Sequence, residues 1–415
     1  MKIFIVGNSI ASISAVREIR KWDTKSSINV ISKEALEPGM PYYSPVVLPY
    51  YIEGTLSKEN LFSIRDDFYR YMNVNLKLGE RAIKVDAKNK VLMTDKSEYK
   101  YDKLLIASGA SPRLPGIPGE RNKRVYVLRT YEDAEKIKSD DSKEVVIIGG
   151  GPVGVESALA LLRFKKRITI IEIAPYILST VFSRRVAEMI ERQLIENGIE
   201  ILKEEKPIEI SGNPVKSVKT NKRKIKCSSV IIGVGVVPNV DFVSGVLKFG
   251  PRGGILVDDK MRTSEPDIYA AGDCIELRSV IDDSIRPFPV WANAMETGRV
   301  AGANIVGKNV NYEGGIRVNS LTVFDKVYFS IGDVYDEEKL RKEIKGDGVI
   351  ELYYFERNRL IGAEIVGDVK YAGLIKSVIR RKVKINIDKF NGFRDLIGMT
   401  APSSKPVKIF EQSLL

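Results

Sequence analysis

The sequence predicts an α/β chain with two consecutive strand–turn–helix modules and a small α+β domain behind them. Two observations carry the first part. An apolar strand runs into a glycine turn and a helix at "IFIVGNSIASISAVREI" and again at "KEVVIIGGGPVGVESALALL". The third observation is a change of period after about residue 315. There "SLTVFDKVYFSIGDV" and "VIELYYFERNRLIGAEIVGD" alternate apolar and polar residues before the helical "KYAGLIKSVIRRKV".

Composition bounds the function classes. At 415 residues, 44% hydrophobic and 29% charged, the chain can bury the cores of two or three domains. No apolar run is long enough to cross a bilayer, and the residues before the first glycine turn are too few for a signal-peptide core. We therefore expect a cytoplasmic protein with no integral membrane segment. Histidine is absent, which removes Ser-His-Asp chemistry, histidine acid–base catalysis and most transition-metal sites. Cys227 and Cys274 lie far apart and outside any C-x-x-C, so no disulfide scaffold, zinc site or dithiol centre is expected. The formal charge of +12 is spread over short runs such as Lys222-Arg223-Lys224. These read as solvated faces, and no nucleic-acid partner is expected.

The second module is the more regular. Gly149, Gly151 and Gly154 sit at the three positions of a G-x-G-x-x-G turn. Gly149 makes the tight turn, Gly151 lets a pyrophosphate touch the backbone, and Gly154 lets the helix pack close to the strand. The helix N-terminus then turns free N–H groups towards the phosphates. The next strand, "RITIIE", ends in Glu172, 23 positions after Gly149. That is close to the spacing of about 20 for the acid that bonds an adenosine ribose. A carboxylate there repels a 2′-phosphate, so NADH is expected over NADPH.

In the first module Gly7 holds the turn, but Ser9 and Ser12 stand at the other two glycine positions. Further strand-end turns carry Ala107-Ser108-Gly109 and Gly233-Val234-Gly235. In "MRTSEPDIYAAGDC", Thr263 leads a short strand, Ile268 to Ala271, that ends in Gly272-Asp273. The Pro- and Gly-rich "ASPRLPGIPGE" reads as an inter-domain crossing, and the charged "KIKSDDSKE" as an exposed linker. The two halves before residue 245 are loosely repetitive, as expected of a duplicated module.

These signals in this order resemble the pyridine nucleotide-disulfide oxidoreductase superfamily of two-dinucleotide-binding-domain flavoproteins, over about residues 1–310. The resemblance implies two Rossmann-like FAD/NAD(P)-binding domains of the three-layer ββα type plus the small α+β C-terminal domain. It implies an FAD-binding domain over 1–112 and 245–312, an NAD(P)H-binding domain over 113–244, and a C-terminal domain over 313–415. FAD would then meet Gly7, Ser9 and Ser12, with the serine hydroxyls donating to phosphate. It would also meet Ala107, Ser108, Gly109, Gly272 and Asp273. Ser32, Lys33 or Glu34, at the end of "INVISKE", would hold its ribose. The helix in "FPVWANAMETGRVAGANIVG" would approach the flavin, with Trp291, Ala294, Glu296 and Thr297 as candidates. NADH would meet Gly149, Gly151, Pro152, Val153, Gly154, Glu172, Gly233 and Gly235. In this family an acid at the position of Glu156 often lies beside the nicotinamide and flavin, which makes Glu156 the candidate catalytic residue. The alternative is a first-turn Glu complementing the helix dipole.

Branch is read from a departure. "YYSPVVLPYYIEG" is similar to the segment that carries a redox cysteine in many members, and Val46 stands where that cysteine belongs. Valine forms neither a sulfenic acid nor a mixed disulfide. What remains resembles the NADH:rubredoxin or ferredoxin reductases and the flavin domain of nitrite reductases. That branch implies hydride transfer from NADH to FAD, then electrons to an acceptor such as a small iron–sulfur or rubredoxin-type protein. Two alternatives stand beside it: a hydrogen-peroxide-forming NADH oxidase, and the flavoprotein subunit of a larger dehydrogenase complex. The chain itself would be a monomer or a homodimer. No metal is expected.

Overall fold

The structure, a computed structural model, describes residues 1–37, 40–62, 64, 66–346, 348–370 and 372–400. They form two compact units, Met1–Leu178 with Glu191–Gly315, and Ser179–Ile190 with the chain from Ile316 onward.

The first unit holds two five-stranded parallel sheets built to one plan. In the first the order is Ile268–Ala270, Lys103–Ile106, Lys2–Val6, Ser27–Ser32, Val74–Leu78. In the second it is Val125–Val127, Ser229–Ile232, Glu144–Ile148, Arg167–Ile171, Ile199–Leu202. Each central strand is an apolar run buried on both faces, which a parallel sheet covered on both sides requires. Each sheet carries an antiparallel three-stranded meander, Ala82–Asp86 to Glu98–Lys100 and Pro207–Ser211 to Lys224–Lys226. The chain is therefore α/β, with two Rossmann-like modules of the ββα kind. The edge strand of the first sheet, Ile268–Ala270, follows the whole second module in sequence. The strand Ala110–Pro112 pairs antiparallel with Val236–Pro238 where the chain crosses out and back.

Helix Ile10–Trp22 lies against helix Trp291–Ile305 at backbone distance. A Cβ at Gly298 would sit 2.1 Å from Ala11 O, and one at Gly302 2.5 Å from Ala15 O. Only glycine admits that approach.

The second unit is a five-stranded antiparallel sheet in the order Val318–Val323, Lys326–Gly332, Arg359–Val366, Val349–Glu356, Leu340–Gly346. Helix Ala372–Arg381 packs on it with Ile375, Val378 and Ile379 buried. Its sheet accepts the segment 179–190 through a buried carboxylate: Ser183 N donates to Glu364 Oε1 at 2.8 Å and Tyr354 Oη to Oε2 at 2.7 Å.

One local expectation is corrected. "KIKSDDSKE" is not an exposed linker. The helix Tyr131–Lys138 runs into it, and Lys166 donates to Asp140 O and Ser142 O at 2.6 and 2.7 Å while Tyr126 bonds the Asp140 carboxylate. Thr263 lies outside the strand, which covers only Ile268–Ala270, and bonds Ile268 O through Oγ1. Cys227 follows a strand, Lys224–Lys226, with its thiol buried.

Among the described residues no helix is long and apolar enough to cross a membrane, and no cluster of three His, Cys, Asp or Glu could hold a metal.

Candidate functional site

Both glycine turns lie at the carboxyl ends of parallel strands, where open α/β sheets bind their ligands. Gly7 has φ +107°, and a Cβ there would come 2.1 Å from Ala107 O. Gly149 has φ +105°, and its Cβ would come 2.5 Å from Gly233 O. Each first glycine is thus pressed against the small-residue turn of the neighbouring strand. Ala107-Ser108-Gly109 and Gly233-Val234-Gly235 are brought to the predicted sites by the sheet register, Val6 beside Ile106 and Ile148 beside Ile232.

In the second module a Cβ at Gly154 would lie 1.9 Å from Gly149 O, whereas Gly151 has no neighbour closer than 3.9 Å. Gly154 serves packing, whereas a Cβ at Gly151 would make only ordinary van der Waals contact. Gly151 caps helix Pro152–Leu162 with no side-chain bond, so its first N–H groups face the turn. Pro152 opens the helix and Val153 is exposed beside it. Glu172 reaches the same turn: Gly150 N donates to Oε2 at 2.7 Å and Ala174 N to Oε1 at 2.8 Å. Gly235, with φ +98°, is open on its Cβ side.

The first module uses its serines differently. Ser9 caps helix Ile10–Trp22 and makes no side-chain cap bond, leaving its hydroxyl at the turn. Ser12 is 1% exposed and donates Oγ–H to Gly7 O at 2.5 Å. Its proton therefore does not go to a phosphate, as the sequence reading expected. A buried hydroxyl one helical turn along finds the nearest carbonyl first. Ser32 is also buried, and its Oγ accepts Glu34 N at 3.3 Å. Glu34 is half-buried and accepts Tyr43 Oη at 2.7 Å.

The returning strand brings Gly272, which donates N–H to Thr297 Oγ1 at 3.1 Å, and Asp273 beside it. Burial pushes the Asp273 carboxyl above the usual range, and Arg129 at 3.5 Å pulls it partly back. On helix Trp291–Ile305, Ala294 and Thr297 are buried, Glu296 is half-buried and Trp291 is exposed.

Arg129 was missed in the sequence. It comes from the second module, between strand Val125–Val127 and helix Tyr131–Lys138, and reaches Asp273 and the Cβ side of Gly109 in the first. A signal was there: Arg129 directly precedes the capping box Thr130/Asp133, which fixes where the helix starts and so where its neighbour points.

Glu156 lies one turn into its helix, not in the first turn, because the helix starts at Pro152. Its role is therefore not that of a first-turn dipole partner. Burial alone pushes its carboxyl up to about 7. The helix that carries it packs against the short helix Leu48–Glu53. Val46, on the turn just before that short helix, is 53% exposed. Cys227 and Cys274 are both buried, and burial pushes their thiols up to about 12 and about 11. Neither is a thiolate at neutral pH.

These residues fit two dinucleotides: two first glycines that admit no Cβ, two helix starts without side-chain caps, an acid tied to the second turn, and a half-buried Asp–Arg pair between the modules. A family model described as pyridine nucleotide-disulphide oxidoreductase matches residues 1–298. The chain is 28% identical to an NADH oxidase of Methanocaldococcus jannaschii, over 100% of this chain and 97% of that one. It is 27% identical to a rubredoxin-NAD(+) reductase of Pseudomonas putida, over 92% of this chain and 99% of that one. Among solved structures, the NADH-bound water-forming NADH oxidase from Lactobacillus brevis matches with a TM-score of 0.87 at 21% identity, over 98% of this chain and 94% of that one. That likeness shows the fold. The chain belongs to the pyridine nucleotide-disulphide oxidoreductase family and is an NAD(P)H-dependent flavoprotein oxidoreductase.

Proposed function

We propose that this chain is a cytoplasmic NADH:acceptor oxidoreductase that passes electrons to a small iron–sulfur or rubredoxin-type protein. The FAD-binding domain is read as 1–112 with 245–312, and the NADH-binding domain as 113–244. The observation that carries the reading is position 46. An exposed valine stands where a redox cysteine would be, and both thiols of the chain are buried. No thiol can relay electrons, so they must leave for an outside acceptor.

When bound, FAD supplies the redox chemistry, taking hydride from NADH and giving electrons onward. The chain's own residues bind and orient. Gly7 and Ser9 present the first phosphate turn, and Asp273 with Arg129 holds the ribityl side. Gly149, Gly151 and the helix start at Pro152 present the second turn. Glu172 takes the adenosine ribose of NADH and disfavours a 2′-phosphate. Glu156, beside the nicotinamide, keeps its proton up to neutral pH. The relative from Pseudomonas putida, a rubredoxin reductase by name, supports this acceptor class.

A second reading is a peroxide-forming NADH oxidase; the Methanocaldococcus jannaschii relative, an NADH oxidase by name, supports the oxidase class. The test is an anaerobic visible spectrum of the purified protein before and after NADH, followed by rubredoxin or by air. Prompt bleaching with fast reoxidation by rubredoxin supports the reductase. Fast reoxidation by air with peroxide release supports the oxidase. A flavin spectrum that NADH leaves unchanged overturns both.

A further inference from the structure

The two modules carry the same hairpin, built twice. In the first, strand Val91–Thr94 turns into Glu98–Lys100 with Met93 opposite Glu98. In the second, Ser217–Thr220 turns into Lys224–Lys226 with Lys219 opposite Lys224. The two turns are held in the same way. Thr94 Oγ1 donates to the buried Glu80 carboxylate at 2.6 Å and accepts the Lys96 and Ser97 N–H groups. Thr220 Oγ1 donates to the buried Glu205 carboxylate at 2.8 Å and accepts the Lys222 and Arg223 N–H groups. The charges differ. The first hairpin mixes Asp95 and Glu98 with Lys96 and Lys100, whereas the second carries Lys219, Lys222, Arg223, Lys224 and Lys226 with no acid.

The first hairpin is thus an internal control for the second. A mixed set of charges already protects an edge strand and permits the turn. Lysines directly opposite one another repel, so the pair Lys219 and Lys224 costs stability that the fold does not require. All five cations are exposed. Arg223 pairs with Glu205 at 2.9 Å, which with the Thr220 bond fixes the turn; among the described residues the four lysines make no ion pair. Lys219, Lys222 and Lys224 line, with Glu209, Ser211 and Arg223, a groove of about 510 Å³ on the meander. No aromatic residue lies between 217 and 226 to stack on a base. Val218 is buried and Ile225 half-buried, so the hairpin offers no apolar side chain to a membrane. We propose that this hairpin docks an acidic segment of a partner protein along the groove. Carboxylates spaced along such a segment meet ammonium groups carried on a rigid turn, which lowers the ordering cost of binding. The surface is independent of which cofactors the glycine turns hold.

The test uses the full chain and a fluorescein-labelled hexaglutamate peptide, read by anisotropy at about 0.1 M salt, where distant charges are screened. Lys219→Met, Asn221→Asp and Lys224→Glu together give the second hairpin the side chains of Met93, Asp95 and Glu98. They remove four units of positive charge, one at 219, one at 221 and two at 224. Peptide affinity should fall by about tenfold, the scale of several exposed charge pairs lost together. The denaturant midpoint should not fall, because the opposed lysines are gone. Lys96→Glu with Lys100→Glu takes the same charge from the first hairpin and should change the affinity by about twofold or less. Equal losses in the two variants reduce the effect to net charge and overturn the proposal. So does an affinity that the triple variant leaves unchanged, or a wild type that does not bind the peptide. Tighter binding of a single-stranded oligonucleotide of equal charge, or of phosphatidylserine vesicles, than of the peptide overturns the choice of partner.

Discussion

The Gly150 amide donates to Glu172 Oε2 at 2.7 Å, so the acid of the second module is tied to the glycine turn it serves. A second amide, Ala174 N, holds the other oxygen at 2.8 Å. Both carboxylate oxygens are therefore held beside the turn, and on the proposed reading they stand against an incoming 2′-phosphate. Glu172→Ala should lower kcat/KM for NADH by about tenfold, the scale of a lost hydrogen bond to a charged group. It should raise kcat/KM for NADPH at the same time. Steady-state kinetics with both nucleotides check this; an unchanged ratio of the two would remove Glu172 from cofactor choice.

The Ser12 hydroxyl and the Gly7 α-carbon make opposite predictions for one turn. Ser12 bonds only Gly7 O as donor, so Ser12→Ala should cost about 1 kcal/mol of stability and leave flavin content near one per chain. Gly7→Ala puts a methyl 2.1 Å from Ala107 O at a φ of +107°. Either effect alone opposes it, and the variant should lose bound flavin and at least about 3 kcal/mol. Flavin absorbance per chain and denaturant midpoints distinguish the two cases.

Local and distant features of the site differ in how far they can be read from sequence. Gly149, Gly151, Gly154 and Glu172 act within one strand–turn–helix–strand unit, so their spacing encodes their geometry. Arg129 and Asp273 are 144 positions apart, and Tyr43 and Tyr131 are 88 apart. No period or motif links such pairs; only the crossing of the chain between modules brings them together. Ser12 misled for the opposite reason, since a carbonyl five residues back competes with a ligand for its proton. Asp140 misled by charge: its side chain is only 5% exposed because the Tyr126 hydroxyl and the Lys166 ammonium satisfy its carboxylate.

Thiol chemistry gives a test that needs no acceptor. Both native thiols are buried and raised, to about 12 at Cys227 and about 11 at Cys274. The folded protein should therefore react with a disulfide reagent such as dithionitrobenzoate only after unfolding, and then at both sites. Val46→Cys places a thiol at a position that is 53% exposed in the native side chain. It should give one rapidly reacting thiol per folded chain. Rapid labelling of the unsubstituted protein would contradict the burial of both cysteines and reopen a thiol relay.

Glu156 gives the pH dependence. Burial raises its carboxyl from an ordinary 4.5 to about 7 in the folded chain. Between those values the folded protein keeps a proton that the unfolded chain has released. The stability tied to this group is full below pH 4.5 and is lost as pH rises to about 7. Glu156→Gln stays neutral throughout. It should match wild type in urea stability near pH 4.5 and exceed it at pH 8, by at most about 3 kcal/mol. Equal stabilities at pH 8 would mean that the carboxylate is solvated in the folded chain. Kinetics separate a catalytic from a bystander role. If Glu156 lies against the nicotinamide, the rate of flavin bleaching by NADH carries a titration near pH 7 that Glu156→Gln abolishes. If the acid only fills the helix interface, the variant changes the urea midpoint and leaves the pH profile of bleaching where it was.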